Sequence, residues 1–394
     1  MLKAFVTTSL ILLAVCRPSV AGDACLTLSA APALHQSGPV FLASFPTVES
    51  GPVQNVAFLY DNAVAAIAFA ACGRLDQAAQ IGDAMLLALD HDRWWTDGRL
   101  RNGYVAGPVA HLPLPLPGWW EPSENKWVED RYQVGSDTGN MAWAMLALLT
   151  VYEQTRTPQY LSGAERIAHD IETSWSAVRP HGFSGGSFGH EPEPVRNTWK
   201  STEHNTDLAA AFGRLARDSG DAHWAMRARA AENFVAAMWS KKCRCFAVGT
   251  GEDGHTPNRL LALDAQLWPV LALATGERRF PGALATATAR LATGGGFAYS
   301  EAAPGVWTEG TAQAGLLMAQ EGRDVTSVAA AIARSRDAKG WYYAAEAPSL
   351  PTGFMLQTDP SKPRVYDHVL HLGALAWVAL FQQRFNPFTG AAPP

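Results

Sequence analysis

The chain has 394 residues, 48% of them hydrophobic and 17% charged, with a formal net charge of -5. That is ample material for a large buried core, and an acidic balance without any basic stripe excludes a nucleic-acid-binding surface. No Ser/Gly linker, low-complexity tract or long charge run divides the chain, which argues for a single domain over residues 22–394.

Residues 1–21 read as a secretory signal. Lys3 supplies the basic start, FVTTSLILLAV the apolar core, and Ser19-Val20-Ala21 an A-x-A-like cleavage site before Gly22. The apolar run is too short to span a bilayer. No later segment reads as transmembrane, so a secreted or periplasmic protein free of the membrane is expected. Leu13-Ala14-Val15-Cys16 falls short of a lipoprotein signal, because Val15 stands where a small residue is needed.

Four cysteines remain after cleavage: Cys25, Cys72, Cys243 and Cys245. In an oxidising compartment they allow three pairings. A Cys25–Cys72 bridge would staple the N-terminal segment to the first buried helix; one between Cys243 and Cys245 would be strained. The C-x-C has no partner cluster at metal spacing. No metal or other cofactor is expected.

Six times a carboxylate or amide leads directly into an apolar stretch of helical length. The first three are Tyr60-Asp61-Asn62 before AVAAIAFA, Ser136-Asp137-Thr138-Gly139-Asn140 before MAWAMLALL, and Thr202-Glu203-His204-Asn205-Thr206-Asp207 before LAAAF. The others are Leu263-Asp264-Ala265-Gln266 before LWPVLAL, Thr308-Glu309-Gly310-Thr311 before AQAGLLM, and Tyr366-Asp367-His368 before VLHLGALAWVALF. Polar groups at a helix start satisfy its free N–H groups and suit the positive end of its dipole. Helices too apolar to face water belong inside. Six such starts predict buried helices whose front ends converge.

Between them lie amphipathic stretches: LDQAAQIGDAMLLALD, YLSGAERIAHDIETSW, DAHWAMRARAAENFVAAMW, RFPGALATATARLA and VTSVAAAIARSRD. Their apolar residues recur at three-to-four spacing beside charged faces, as in outer helices. Gly- and aromatic-rich segments such as GFSGGSFG and GWYYAAEAPSLPTGF follow them, reading as loops or short β-hairpins. The leading acids are spaced between 45 and 76 residues apart. That is too irregular for a solenoid of short repeats, and it suits a closed ring of six αα-hairpins.

With LYDNAVAAIAF, GSDTGNMAWAMLALL, STEHNTDLAAAF, LDAQLWPVLAL and WTEGTAQAGLL, residues 55–385 resemble the six-hairpin (α/α)6 toroid glycosidase superfamily, with no single family assigned. The resemblance implies an all-α toroid with short β-hairpins and loops on one face. It also implies an active site in the funnel at the N-terminal ends of the inner helices, and an inverting glycoside hydrolase whose partner is a carbohydrate.

Glycoside hydrolysis needs a protonated carboxyl for the leaving oxygen and an ionised one for water or the sugar. Glu203 is the first candidate for the acid, with Asp207 one turn on to raise its pKa by repulsion; His204 and Asn205 would bind sugar hydroxyls. Asp137 is the first candidate for the base, because a helix dipole lowers a carboxylate's pKa. Asn140 lies near it, and Gly139 permits a ligand to come close. Asp61, beside Tyr60, and Glu309, beside Trp307, compete for the base role. Asp264, Asp367 and His368 read as structural or substrate-binding, and His371 lies one turn beyond His368. Trp119, Trp120, Trp199 and Trp307 fall in loops where an indole would stack on a sugar face. Each acid has a plainer alternative as an ordinary helix cap, and each Trp as packing.

Three other functions stay open. A polysaccharide lyase needs a basic cleft, and the helix starts are poor in Lys and Arg. A sugar epimerase would lean on paired histidines, His204 and His368. A non-catalytic carbohydrate-binding toroid is the alternative outside enzymes.

Overall fold

The computed structural model describes residues 23–35, 37–176, 182–273 and 276–390. The expected signal segment lies outside them. The helices begin with α1 (Asp23–Ser29), α2 (Leu59–Ala71), α3 (Leu75–Asp90) and α4 (Thr138–Thr155). They continue with α5 (Pro158–Trp175), α6 (Thr202–Ser219), α7 (Ala222–Met238), α8 (Leu263–Ala272) and α9 (Gly276–Arg279). The last are α10 (Ala283–Leu291), α11 (Thr308–Gln320), α12 (Thr326–Arg334) and α13 (Leu372–Gln383).

Helices α2, α4, α6, α8, α11 and α13 form the inner ring, each packing on the next and α13 returning to α2. The sorting follows burial pattern. Helix α13 is buried at every position from Leu372 to Leu380, as an inner helix must be. Helix α5 buries Tyr160, Gly163, Ala164, Ile167, Ala168 and Ile171 along one stripe and leaves its charged face to water. The outer layer is α3, α5, α7, α10 and α12, with α1 packed against α13. The bore is plugged by Trp143, Trp268 and Trp377, with ring centroids 5.3–6.1 Å apart, and Phe388 beneath them.

One backbone hydrogen bond recurs in every unit. The first N–H of each inner helix is otherwise an orphan; here it donates to a carbonyl in the segment that follows that unit's outer helix. Leu59 bonds Asn102, Thr138 bonds Gly185, Thr202 bonds Val248, Leu263 bonds Tyr299, and Thr308 bonds Ala344, at 2.8–3.3 Å. The sixth, Leu372 to Ser44 at 2.9 Å, reaches back to the residues after α1. The two ends of the chain therefore complete one unit between them. All six inner helices start on the same face.

Disulfide Cys25–Cys72 fastens that closure by tying α1 to the end of α2. Cys243 and Cys245 are also bridged, across the turn after α7, where strain had been expected.

Among the described residues the loops carry short antiparallel strand pairs and one three-stranded sheet, Ser136–Asp137, Gly186–Phe188 and Val195–Asn197. The longest hairpin, Ser349–Met355 with Pro363–Asp367, precedes α13. Its body rests on the loop before α11, where Ser300 Oγ donates to the Thr352 carbonyl at 2.7 Å. Its tip reaches across the ring, where Gln357 Nε2 donates to Asn197 Oδ1 at 2.7 Å.

This hairpin corrects the sixth expected helix start. Asp367 ends a strand, and both it and His368 are exposed. Leu370 is held in a β-bridge to Tyr343, so the helix begins only after His371, its N-cap.

Candidate active site

The six helix starts deliver Asp61, Asp137, Glu203, Asp264, Glu309 and His371 to one end of the bore. Asp61, Asp137, Asp264, Glu309 and His371 are each less than a tenth exposed. Glu203 is only half-buried and is the acid most open to the funnel. Beside it, His204, Tyr60, Asn140 and Trp199 are half-buried as well.

Three linked groups make up the site. In the first, Glu203 and Asp264 are hydrogen-bonded carboxyl neighbours. Burial raises the Glu203 pKa well above the ordinary carboxylate range, and the Asp264 charge raises it further against the pull of Arg364. Asp264 rises less, to about 6, because the Ala265 N–H bonds its Oδ1 at 2.6 Å. Of the two, Glu203 is the one whose protonated form this surrounding favours more.

Asp207, expected to act on Glu203, is fully buried, and neither of its oxygens has a hydrogen-bond partner. Burial and then Glu203 push its pKa well up. It is closed off from solvent.

In the second group, Glu309 Oε1 accepts the Tyr60 hydroxyl and, at 3.2 Å, the Gln313 amide. Tyr60 in turn accepts the Trp377 indole N–H at 2.8 Å, while its ring packs on Trp143. Tyr60 thus props Glu309. His371 Nε2 lies 3.2 Å from Asp61 Oδ2, and its Nδ1 lies 3.8 Å from Glu309 Oε2. Burial pulls the imidazole's pKa down, but Asp61 and Glu309 outweigh it and hold it above its ordinary value. Burial carries Glu309 to about 7 even with His371 and Tyr60 opposing. Gly373 makes room here: a Cβ at that position would stand 2.7 Å from Asp61 Oδ1 and 2.8 Å from His371 Cε1.

The third group surrounds Asp137. Its backbone N–H donates to Asn102 Oδ1 at 2.7 Å, which also accepts Asn140 Nδ2 at 2.7 Å. Burial lifts its pKa to about 7, against Arg364 and Asn102. This corrects the expected dipole-lowered carboxylate: at this helix start burial wins. Gly139 does permit a close approach, but of the His204 ring, whose Cδ2 would lie 2.4 Å from an added Cβ. Burial and Arg364 depress His204 to about 4, so the imidazole is neutral. Trp199 tilts against it at 5.4 Å.

Several sequence candidates do other work. Asn205 clasps both backbone groups of Phe183, at 2.8 and 3.0 Å, and is fully buried. Asn62 clasps Leu42 and Gln266 clasps Phe246 in the same way, so an amide at this position locks three of the inner helices, α2, α6 and α8, to a neighbouring loop. Trp307 is buried against Tyr299 and Tyr366. Trp119 and Trp120 sit on the hairpin Trp119–Glu121/Lys126–Val128, and no described contact joins them to the helix starts. Trp120 faces Trp127 across that hairpin, each more than half exposed.

Arg364 is a residue that sequence reasoning missed. It lies on the long hairpin and is exposed, yet its charge acts on Asp137, Glu203, His204 and Asp264. No single periodicity could flag it, since it reaches the funnel from a strand. Among the described residues, no group of three or more His, Cys, Asp or Glu is placed to hold a metal ion.

No protein-family model and no curated protein matches the sequence. Solved structures do match the fold. A wild-type glycosidase aligns with TM-score 0.60 and 14% identity, covering 92% of this chain and 96% of that one. The cellobiose 2-epimerase of Bacillus thermoamylovorans aligns at 0.56 and 12%, covering 87% and 92%. The chain has the six-hairpin (α/α)6 toroid fold. An α-mannanase from Bacteroides thetaiotaomicron shares this toroid at 0.51 and 14% identity, over 84% and 86%. Among the toroid's described residues, no helix is long and apolar enough to cross a membrane.

Proposed function

We propose that this toroid is an exported glycoside hydrolase, inverting at the anomeric carbon. The observation that carries the reading is the placement of Glu203 against Asp264 at the accessible edge of an otherwise buried acidic floor, where burial and the neighbouring charge raise its pKa. A carboxyl group kept protonated at neutral pH is what the leaving oxygen requires. Glu203 gives its proton to the glycosidic oxygen as the bond to C1 breaks. Asp137, on the neighbouring inner helix, takes the proton of the water that attacks C1. Asp61 and Glu309, tied to His371 and Tyr60, hold the sugar. Solved structures sharing the toroid include a glycosidase variant in complex with glucose, which agrees with a sugar in the funnel.

The test is Glu203→Gln on two substrates of one sugar. Turnover should fall roughly 10²–10⁴-fold on a poor leaving group, and less on a good one. Asp137→Asn should slow both alike. NMR of the first-formed anomer reads inversion. Full activity of Glu203→Gln on the poor leaving group removes it from the acid role.

A second reading, a sugar epimerase, is favoured by one observation. Two histidines do reach the site, from different inner helices, although they are His204 and His371 rather than His204 and His368. Incubation of a reducing disaccharide in D2O separates the two: an epimerase exchanges the C2 hydrogen and releases no monosaccharide.

A further inference from the structure

Resting on the reading of the funnel as a glycoside site, we propose that Arg364 is the receptor for a carboxylate on the bound sugar, so that the substrate class is a glycoside of a uronic acid. The first support is the hairpin's fixation. Ser300 holds the Thr352 carbonyl, and Thr352 Oγ1 donates to the carbonyl of Arg364 itself at 2.8 Å. The tip is tied through Gln357 to Asn197, whose amide lies 3.5 Å from Asp137 Oδ1. The strand bearing Arg364 is thus pinned at its body and at its tip, with the tip beside the candidate base.

The second support is the state of the guanidinium. The residue as a whole is exposed, yet its charged end is partly desolvated among Tyr132, Tyr299, Tyr366 and Glu203, and no hydrogen bond or ion pair joins the guanidinium to a described residue. Other arginines of this chain in polar clusters are engaged: Arg101 with Asp92, Arg214 with Glu153, and Arg334 with Glu346. Arg364 nevertheless sits where its field reaches carboxyl groups at the starts of α4, α6 and α8. A five-donor fork presented unpaired over a sugar site matches an acceptor that arrives with the ligand.

Charge selects the acceptor. Burial raises the pKa of Glu203 and of Asp207 and so disfavours their charged forms, and Asp61 is paired with His371. The phenols of Tyr132, Tyr299 and Tyr366, which share the space around Arg364, are neutral. Asp137 and Asp264 remain, and neither forms an ion pair with Arg364. A singly charged, planar carboxylate can dock on the fork in bidentate fashion. A phosphate dianion would face those two acids with one cation to hold it, so the site disfavours it.

The test uses the full chain carrying Glu203→Gln, which keeps substrate uncleaved. Calorimetry compares two disaccharides of the same linkage, one ending in glucuronate and one in glucose. The glucuronate should bind roughly tenfold more tightly or better, as a charge-assisted contact implies. Arg364→Met should erase that margin, the ratio of the two affinities falling to about one whatever happens to each affinity alone; Arg364→Lys should keep part of it. Equal affinity for the twins, a margin that survives Arg364→Met, or binding of neither twin overturns the proposal. A margin seen in binding while the wild-type chain releases no sugar would instead sink the hydrolase reading and leave this one standing.

Discussion

Gly373→Ala tests the packing of the site without needing a substrate. In a helix interior, alanine is favoured over glycine by about 1 kcal/mol, so the substitution looks stabilising on propensity alone. The structure says otherwise. The new methyl would stand 2.7 Å from Asp61 Oδ1, 2.8 Å from His371 Cε1 and 3.1 Å from Glu309 Oε2. None of these groups is free to give way. Asp61 and His371 hold one another, Glu309 is fixed by Tyr60 and Gln313, and all three are nearly fully buried. Overpacking of this kind costs about 1–3 kcal/mol. The control is Gly213→Ala in α6, exposed, with nothing within 4 Å of its added methyl. Subtracting the control removes the shared propensity gain. Because Gly373 lies in the first turn, where that gain is smaller, the difference is at least the overpacking cost. Urea unfolding of both variants should therefore place Gly373→Ala about 1–3 kcal/mol below Gly213→Ala. Equal stabilities would refute the crowding argument and, with it, the convergence of the three groups.

The remaining predictions concern pH and cross-links. Asp137, Glu309 and Asp264 have folded pKa values of about 7, 7 and 6, raised above their unfolded values. The folded state thus binds more protons between about pH 4 and 7, so stability should fall as pH rises through that window. Asp207, shifted further up with no bonded oxygen, adds to the loss, so Asp207→Asn should flatten the decline and raise the urea midpoint at pH 8. A midpoint that rises with pH from 4 to 7 in the parent chain contradicts these shifts. Cys25→Ser with Cys72→Ser opens a link spanning 47 residues and should cost about 2–4 kcal/mol. Cys243→Ser with Cys245→Ser opens a link spanning 2 and should cost far less.

Much of the ring was legible because burial leaves a strong mark on composition. A helix enclosed on all sides, such as α4 or α13, has no polar face to interrupt its apolar run. A carboxylate standing at the front of such a run has few places to go except the shared mouth. That logic located Asp61, Asp137, Glu203, Asp264 and Glu309. It failed at the sixth start for a physical reason. Val369 and Leu370 are as apolar as the helix that follows, yet Leu370 belongs to a β-bridge, and hydropathy does not distinguish a buried bridge residue from a buried helical one. The helix starts three residues later than Asp367 and His368 suggested, and His371 is the group that reaches the floor.

Roles were less legible than positions. Asp207 was one turn from Glu203 and therefore looked like its partner, but the charge that acts on Glu203 most strongly comes from Asp264, on the next helix of the ring. Sequence neighbours on one helix are always visible; neighbours across a ring closure are not. The same limit hid the meaning of Gly139 and Gly373, which admit side chains from other helices. It also hid Arg364, brought over the mouth by a hairpin whose tip is fixed to a loop on the far side of the ring. The acids of this site are written into the starts of its helices, while the charge that would sort one sugar from another arrives from a loop. Loops on one face are where this fold tolerates change at least cost to its core, so substrate choice can shift there without disturbing the six closures beneath.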